Sequence, residues 1–245
     1  MTRLFDNKAL SSGKSQNRRS EVYRTLKQAI LDGEIERGTW LQEDQVCQVL
    51  KASRTPIREA FNRLKGEGLL EIIPRKGARV IDLSSAQIDS LYEARANLEL
   101  TYFDKSIRSL KPQDYEELKQ ELCAIESKLL DSEQYSEEWD HCRKEFSAID
   151  RAFHDRLILA CGNEYWVKIY FQIRDLIIIS SIGRSFTHES VMGVIMEHRQ
   201  ILDALIEEDY SRARDLLADH IINTRRYEDV NDHRQRVVQT YKTRE

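Results

Sequence analysis

The sequence has no apolar stretch approaching the roughly 18 residues needed to span a bilayer; Leu176–Ile179, for example, runs straight into Ser180 and Ser181. A membrane-spanning chain is excluded. The N-terminus, Met1-Thr2-Arg3-Leu4-Phe5-Asp6-Asn7, never builds the apolar region of a secretory signal, so the expected location is the cytoplasm. Cysteine is scarce: Cys47, Cys123, Cys142 and Cys161 lie far apart without C-x-x-C spacing, which argues against a disulfide framework and a thiolate zinc site. They read as reduced, mostly buried thiols. Only 9 glycines and 3 prolines punctuate 245 residues that are 40% hydrophobic and 33% charged, which excludes collagen-like, Pro-rich and low-complexity classes. Nucleophile motifs and phosphate-binding loops are also missing, which weighs against an enzyme. What is left is a mostly helical globular protein, long enough for one large domain or two modest ones.

Charge divides the chain where composition does not. Residues 1–83 carry 16 Lys+Arg against 11 Asp+Glu, a net of +5, whereas the remainder carries 22 against 31, a net of −9. Six of the nine glycines and two of the three prolines also precede residue 84. A domain boundary is therefore expected at Leu83-Ser84-Ser85, with a mobile polar arm over 1–19, a first domain over 20–83, a second over 84–228 and a polar tail over 229–245.

In the first domain Ser20 is expected to cap a helix whose apolar positions are Val22, Leu26, Ile30 and Leu31, with Gly33 closing it. A short helix follows from Gln42 or Glu43, with Val46, Val49 and Leu50 on one face. Ser53 then reads as the N-cap of a third helix, with Pro56 in its first turn and a stripe of Ile57, Ala60, Phe61 and Leu64. Arg54, Thr55, Arg58 and Asn62 fall on another face. Basic and hydroxyl residues at the N-terminal end of the second helix of such a pair suit entry into the DNA major groove: arginine bonds guanine bidentately, and hydroxyls and helix-end amides bond phosphate. Leu70–Ile73, Pro74-Arg75-Lys76-Gly77 and Ala78–Ile81 read as strand, basic turn and strand, the pattern of a wing.

These residues carry a resemblance. Gly33-x-Ile35-x-x-Gly38-x-x-Leu41, Ser53-Arg54-Thr55-Pro56-Ile57-Arg58-Glu59-Ala60, Leu64, Glu67-Gly68-Leu69 and Arg75-x-Gly77 resemble the N-terminal domain of GntR-family bacterial transcription regulators over residues 20–82. The resemblance implies a winged helix-turn-helix in which Arg54, Thr55 and Arg58 contact operator DNA, Gly77 approaches the minor groove, and Ser53, Arg75 and Lys76 border the same surface. Asp44 departs from the pattern: members often carry a basic, DNA-contacting residue there.

From Ser84 onward helical periodicity dominates. Helices are expected over Ser84 to about Leu110, Asp114–Asp131, Ser136–Cys161 and Glu164 to about Ile182, followed by two joined at Glu208-Asp209-Tyr210-Ser211. The fold class is thus mainly α: a winged helix-turn-helix plus an all-α antiparallel bundle. All six histidines lie at or beyond residue 141. An acid four residues before a histidine puts both on one helix face, as metal ligation requires, and this occurs at Glu137/His141, Asp150/His154 and Asp229/His233. His141 and His233 have charged helical neighbours and read as solvated. His154 shares a face with Leu157, Ile158 and Cys161, His198 lies on an apolar stripe with Val194, Ile195, Ile201 and Leu202, and His220 follows Leu216 and Leu217. His198 and His220 each lie eleven residues from Asp209, so an antiparallel hairpin would bring both to one height ~16 Å from the turn. Asp150, His154, His198 and His220 could then meet one divalent ion, with zinc first and nickel, iron, cobalt and manganese as alternatives. Satisfied core histidines are the competing reading.

A second resemblance bears on that choice. Glu93-x-Arg95-x-x-Leu98-Glu99, Asp150-x-x-Phe153-His154-x-x-Leu157, Gly162-Asn163, Glu197-His198-x-x-Ile201 and Ala213 through His220 resemble the helical FCD-type domain of the FadR subfamily over residues 84–226. It implies that Asp150, His154, His198 and His220 hold a divalent cation and that Arg95 binds a small organic-acid effector; a surface salt bridge to Glu99 is the alternative for Arg95. It also implies a homodimeric repressor acting on double-stranded operator DNA. A regulator in which the metal is itself the signal, or purely structural, and a metal-dependent enzyme are the competing functions.

Overall fold

A computed structural model describes the backbone of residues 15–184 and 186–242, with side chains described over 18–184 and 186–226. It comprises two compact units: the chain up to Ile88 together with Phe171–Gly183, and Asp89–Tyr170 together with the chain from Arg184 onward.

The first unit holds α1 (Ser15–Leu31), β1 (Trp40–Leu41), α2 (Glu43–Leu50), α3 (Arg54–Gly66), β2 (Leu70–Ile73) and β3 (Gly77–Val80). Val22, Leu26 and Ile30 of α1 and Ile57 and Leu64 of α3 are fully buried with Leu69, Ala78 and Val80, so the helical stripes close over one side of the sheet. Each such Leu or Ile contributes ~1.5–3 kcal/mol on burial. The α2–α3 turn passes through Lys51 in the left-handed region (φ 48°), and the Ala52 amide donates to the Cys47 carbonyl at 3.1 Å. Ser53 occupies the N-cap position with extended backbone, but its hydroxyl makes no capping bond.

The three strands are antiparallel in the order β1-β3-β2, with Leu70 opposite Val80 and Ile73 opposite Gly77. Arg75, at the tip of the β2–β3 hairpin, has φ 65°, and Gly77 has φ 99°. Gly77 is required there: a Cβ would come within 2.7 Å of the Leu41 carbonyl oxygen. Gln42 Nε2 donates to the Lys76 carbonyl at 2.8 Å and ties the hairpin to the start of α2.

Two expectations are corrected here, and one element is added. Helix α1 is already formed at Ser15, ahead of the expected Ser20 cap: Arg18 donates to the Lys51 carbonyl and Arg19 pairs with Glu59 at 2.9 Å, so residues assigned to a mobile arm are anchored to the α2–α3 turn and to α3. The rest of the expected arm, 1–14, lies outside the described residues. Strand β1 was not anticipated, because two residues cannot display alternation. The units divide inside the next helix, and Phe171–Gly183 joins the first unit because Ile179 enters its core, with Leu176 and Ile182 packed against it. Lys27 of α1 bonds both Glu67 (2.8 Å) and the buried Asp175 (2.7 Å) there. Burial disfavours the Lys27 ammonium, yet hydrogen bonds to Asp175 and Glu67 outweigh it and raise its pKa.

The remaining helices are α4 (Ser85–Ile107), α5 (Pro112–Asp131), α6 (Glu137–Ala160), α7 (Glu164–Ser181), α8 (His188–Ile206) and α9 (Tyr210–Lys242). Their starts are chemically marked. Pro112 opens α5, the Ser136 hydroxyl accepts from the Trp139 amide at 3.0 Å, and Thr187 and Ser190 form a reciprocal capping box on α8. Helices α8 and α9 form an antiparallel hairpin whose turn places Glu208 at φ 61° and bonds the Asp209 amide to the Ala204 carbonyl at 2.9 Å. The residues set apart as a tail continue α9 as far as Lys242. No described helix is long and apolar enough to cross a membrane.

Candidate metal centre and DNA-reading surface

The hairpin brings His198 of α8 beside His220 of α9, with ring centroids 4.3 Å apart, and α6 brings His154 and Asp150 to the same point. One ligand atom from each of the four lies within 4.8 Å of every other. The three histidines are at most 1% exposed, and the buried Phe153 ring packs edge-on against His154 and tilted against His198, which restricts both rotamers. His141 is exposed and takes no part in the cluster, and the side chains of Asp229 and His233 lie outside those described.

The tautomers follow from the partners. Nδ1 of His154 lies 2.7 Å from Glu99 Oε2, and Nδ1 of His220 lies 2.9 Å from Glu197 Oε2. Each Nδ1–H therefore donates to a carboxylate, and each Nε2 presents a lone pair to the cluster centre. Nε2 of His154 is 3.2 Å from that of His220 and 3.3 Å from that of His198. Two lone-pair nitrogens cannot hydrogen-bond to each other, and protonation does not relieve the conflict. Burial, reinforced by the neighbouring positive groups, holds His154 well below its ordinary pKa, and lowers His198 to about 3 and His220 to about 4. Burial works to raise the Asp150 carboxyl, but the positive charge facing it, permanent only on Arg95, outweighs burial and lowers its pKa.

A shared cation resolves the conflict. Ligands ~2.0–2.1 Å from one ion are separated by about 2.9–3.4 Å, which is the Nε2 spacing found here. The residues present thus fit a divalent transition metal held by three neutral imidazoles and a carboxylate, with Asp150 Oδ1 3.6 Å from His198 Nε2. Glu99 and Glu197 supply the outer carboxylates typical of histidine ligands, while His198 Nδ1 is buried with no partner among the described residues.

Arg95 of α4 completes the constellation. Its Nε donates to Glu99 Oε1 at 2.7 Å, the ion pair expected as the alternative for Arg95, although the pair is buried and not at the surface. Burial disfavours the guanidinium, yet the Glu99 carboxylate raises its pKa. Glu99 spends one oxygen on Arg95 and the other on His154. The sequence pointed to Glu99 only as a partner for Arg95, through their i,i+4 spacing. The sequence marked Glu197 only within the Glu197-His198 motif, not as a partner of His220: consecutive residues on a helix face different ways, and it reaches across to His220 and Asn223.

In the first unit the expected DNA-facing residues cluster on one side. Ser53, at the N-cap, and Arg54, Thr55, Arg58 and Asn62 of α3 are exposed, and Arg75 and Lys76 are exposed at the hairpin tip beside Gly77. A cleft of about 460 Å³ runs between α2, α3 and this hairpin.

A winged helix-turn-helix with an exposed basic recognition helix defines a DNA-binding transcription regulator. Comparison with known proteins gives the particular family. Residues 18–80 match the model for bacterial regulatory proteins of the gntR family, and residues 90–223 match the FCD domain. The chain belongs to the GntR family of bacterial transcription regulators, in its FCD-containing, FadR-type branch, and is a regulator and not an enzyme. The HTH-type transcriptional repressor GlaR of Escherichia coli is 26% identical over 219 residues, covering 82% of this chain and 90% of the relative. The gluconate operon transcriptional repressor of Bacillus subtilis is 29% identical over 189 residues, covering 75% and 74%. The solved structure of E. coli McbR/YncC shares the fold with a TM-score of 0.66 at 19% identity, covering 93% of this chain and 99% of that one.

Proposed function

We propose that this protein is a homodimeric repressor whose operator affinity is set by a small organic acid bound at a divalent metal in the FCD domain. The observation that carries the reading is the convergence of three buried imidazole Nε2 atoms and the Asp150 carboxylate at one point near Arg95. Asp150, His154, His198 and His220 hold the ion, zinc first among zinc, nickel, iron, cobalt and manganese. The ion supplies an electrophilic anchor for a carboxylate. The Nε of Arg95 is committed to Glu99, which fixes the guanidinium plane and leaves the terminal amines to pair with the acid. Ser53, Arg54, Thr55 and Arg58 read the major groove, and Arg75, Lys76 and Gly77 approach the backbone and minor groove. Two reading heads match two half-sites about one helical turn apart. Repression and a carboxylate signal accord with relatives named a transcriptional repressor and a gluconate operon repressor. Regulation is linkage: an acid that binds one packing of the FCD helices better shifts the population of operator-competent dimers.

The test is operator affinity of the metal-loaded protein titrated with small hydroxy- and dicarboxylic acids, gluconate among them, on a duplex recovered by selection from a random library. At least one acid is expected to change affinity at least fivefold, and Arg95→Ala to lose that response with its metal retained. Affinity that tracks metal and ignores every acid would establish instead that the metal is the signal.

Glu99 gives a second prediction. Glu99→Gln keeps the shape but removes the charge that orients His154 and opposes Arg95, so metal affinity, read by chelator competition, is expected to fall about 10- to 100-fold. Unchanged affinity would show that His154 needs no carboxylate behind it.

A further inference from the structure

The DNA-facing surface of the first unit contains two carboxylates where a phosphate-binding surface has no use for them. Glu43 and Asp44 occupy the first turn of α2, where the helix dipole favours negative charge. Each reaches an arginine of α3. Asp44 Oδ1 accepts from Arg54 Nε at 2.9 Å, and Glu43 Oε2 accepts from Arg58 Nε at 2.8 Å. The arginines are 64% and 61% exposed, so these pairs contribute little to the stability of the fold. Their position is what distinguishes them: all four side chains line the cleft between α2, α3 and the β2–β3 hairpin.

The geometry selects which face of each guanidinium is free. An arginine reads guanine bidentately through two of its five N–H groups. With Nε engaged by a carboxylate, the paired terminal amines remain, their plane fixed before DNA arrives. Side-chain ordering is then partly complete before binding, which favours a partner of matching geometry. Phosphate contact is affected in the opposite sense. Non-specific affinity grows with the number of phosphates neutralised, and a carboxylate within hydrogen-bond distance cancels the arginine's charge and repels the backbone. The four side chains together carry no net charge.

We propose that Glu43 and Asp44 are specificity-determining residues of the DNA-reading surface. They hold Arg58 and Arg54 by Nε, reserve the terminal amines for a base edge, and suppress binding to arbitrary phosphate backbone. This rests on α3 being the reading helix.

The experiment compares wild type, Asp44→Asn, Glu43→Gln and Arg58→Ala on the duplex selected by the wild-type protein and on a shuffled duplex of equal length, by fluorescence anisotropy across a salt series. Circular dichroism melting confirms that each variant folds. Asp44→Asn is expected to bind the shuffled duplex about three- to tenfold more tightly, to steepen the salt slope by about one per reading head, and to bind the selected duplex with no comparable gain, so the specificity ratio falls. Glu43→Gln is expected to lower the ratio in the same way. Unchanged shuffled-duplex affinity and slope, or equal gains on both duplexes, overturn the proposal. Arg58→Ala separates the two levels. If it loses the selected duplex while Asp44→Asn keeps the wild-type ratio, only the role of the carboxylates fails; if it retains selected-duplex affinity, the assignment of α3 fails and this proposal with it.

Discussion

Arg58→Ala is expected to abolish operator recognition while leaving the protein folded. A bidentate arginine–guanine contact is worth ~1–3 kcal/mol, and a two-fold operator loses it in both half-sites, so affinity for the selected duplex should drop roughly 30- to 25,000-fold. Little of this comes from the fold, because Arg58 is 61% exposed and its ion pair to Glu43 is a surface pair. The melting temperature should therefore match wild type. Residual binding to shuffled DNA should persist, since Lys76, Arg75 and the other basic residues still meet phosphate. An unaltered operator footprint would mean that α3 is not the element inserted into the groove.

His198→Ala is expected to have the second large effect. Its ring is completely buried, 4.5 Å from Phe153 and 4.3 Å from His220, and its Nε2 is one of the three facing the cluster centre. Without it the site is left with two imidazoles and Asp150. The loss should exceed the 10- to 100-fold that removal of an outer carboxylate causes, so bound metal should approach zero after dialysis. The thermal readout distinguishes lost coordination from general damage. Saturating the wild type at 100 times its dissociation constant stabilises it by ~2.7 kcal/mol, visible as a rise in Tm, whereas the variant should melt at the same temperature with and without metal. Full metal content in the variant would show that the four-residue site is wrong.

Much of this was legible in the residues because the signals are local. The alternation of charge between the two parts, the Ser53–Leu64 stripe and the basic Pro74–Gly77 turn follow from periodicity and turn chemistry. The equal spacing of His198 and His220 about Asp209 is arithmetic on helix rise, and the α8–α9 hairpin honours it. What was illegible is tertiary. Residues 15–19 look like a polar arm because their order comes from Lys51 and Glu59, far along the chain. The split of α7 between units depends on Ile179 finding the core around α1 and α3, and periodicity cannot say which core an apolar face will meet. The carboxylates behind His154 and His220 come from α4 and α8, so no spacing within α6 or α9 announces them. The pairing of Arg54 with Asp44 and of Arg58 with Glu43 likewise joins two helices across a turn.

Control of DNA binding by a small acid, as proposed, requires that the FCD domain hold a metal. The most direct measurement is metal analysis of the natively purified protein, paired with native mass spectrometry of the same sample. About one transition-metal ion per chain is expected, with a co-purified organic acid released when the metal is stripped. Protein that is metal-free as purified and takes up no zinc, nickel, cobalt, iron or manganese on addition would refute the metal site and leave the three facing Nε2 atoms to be satisfied by something other than an ion.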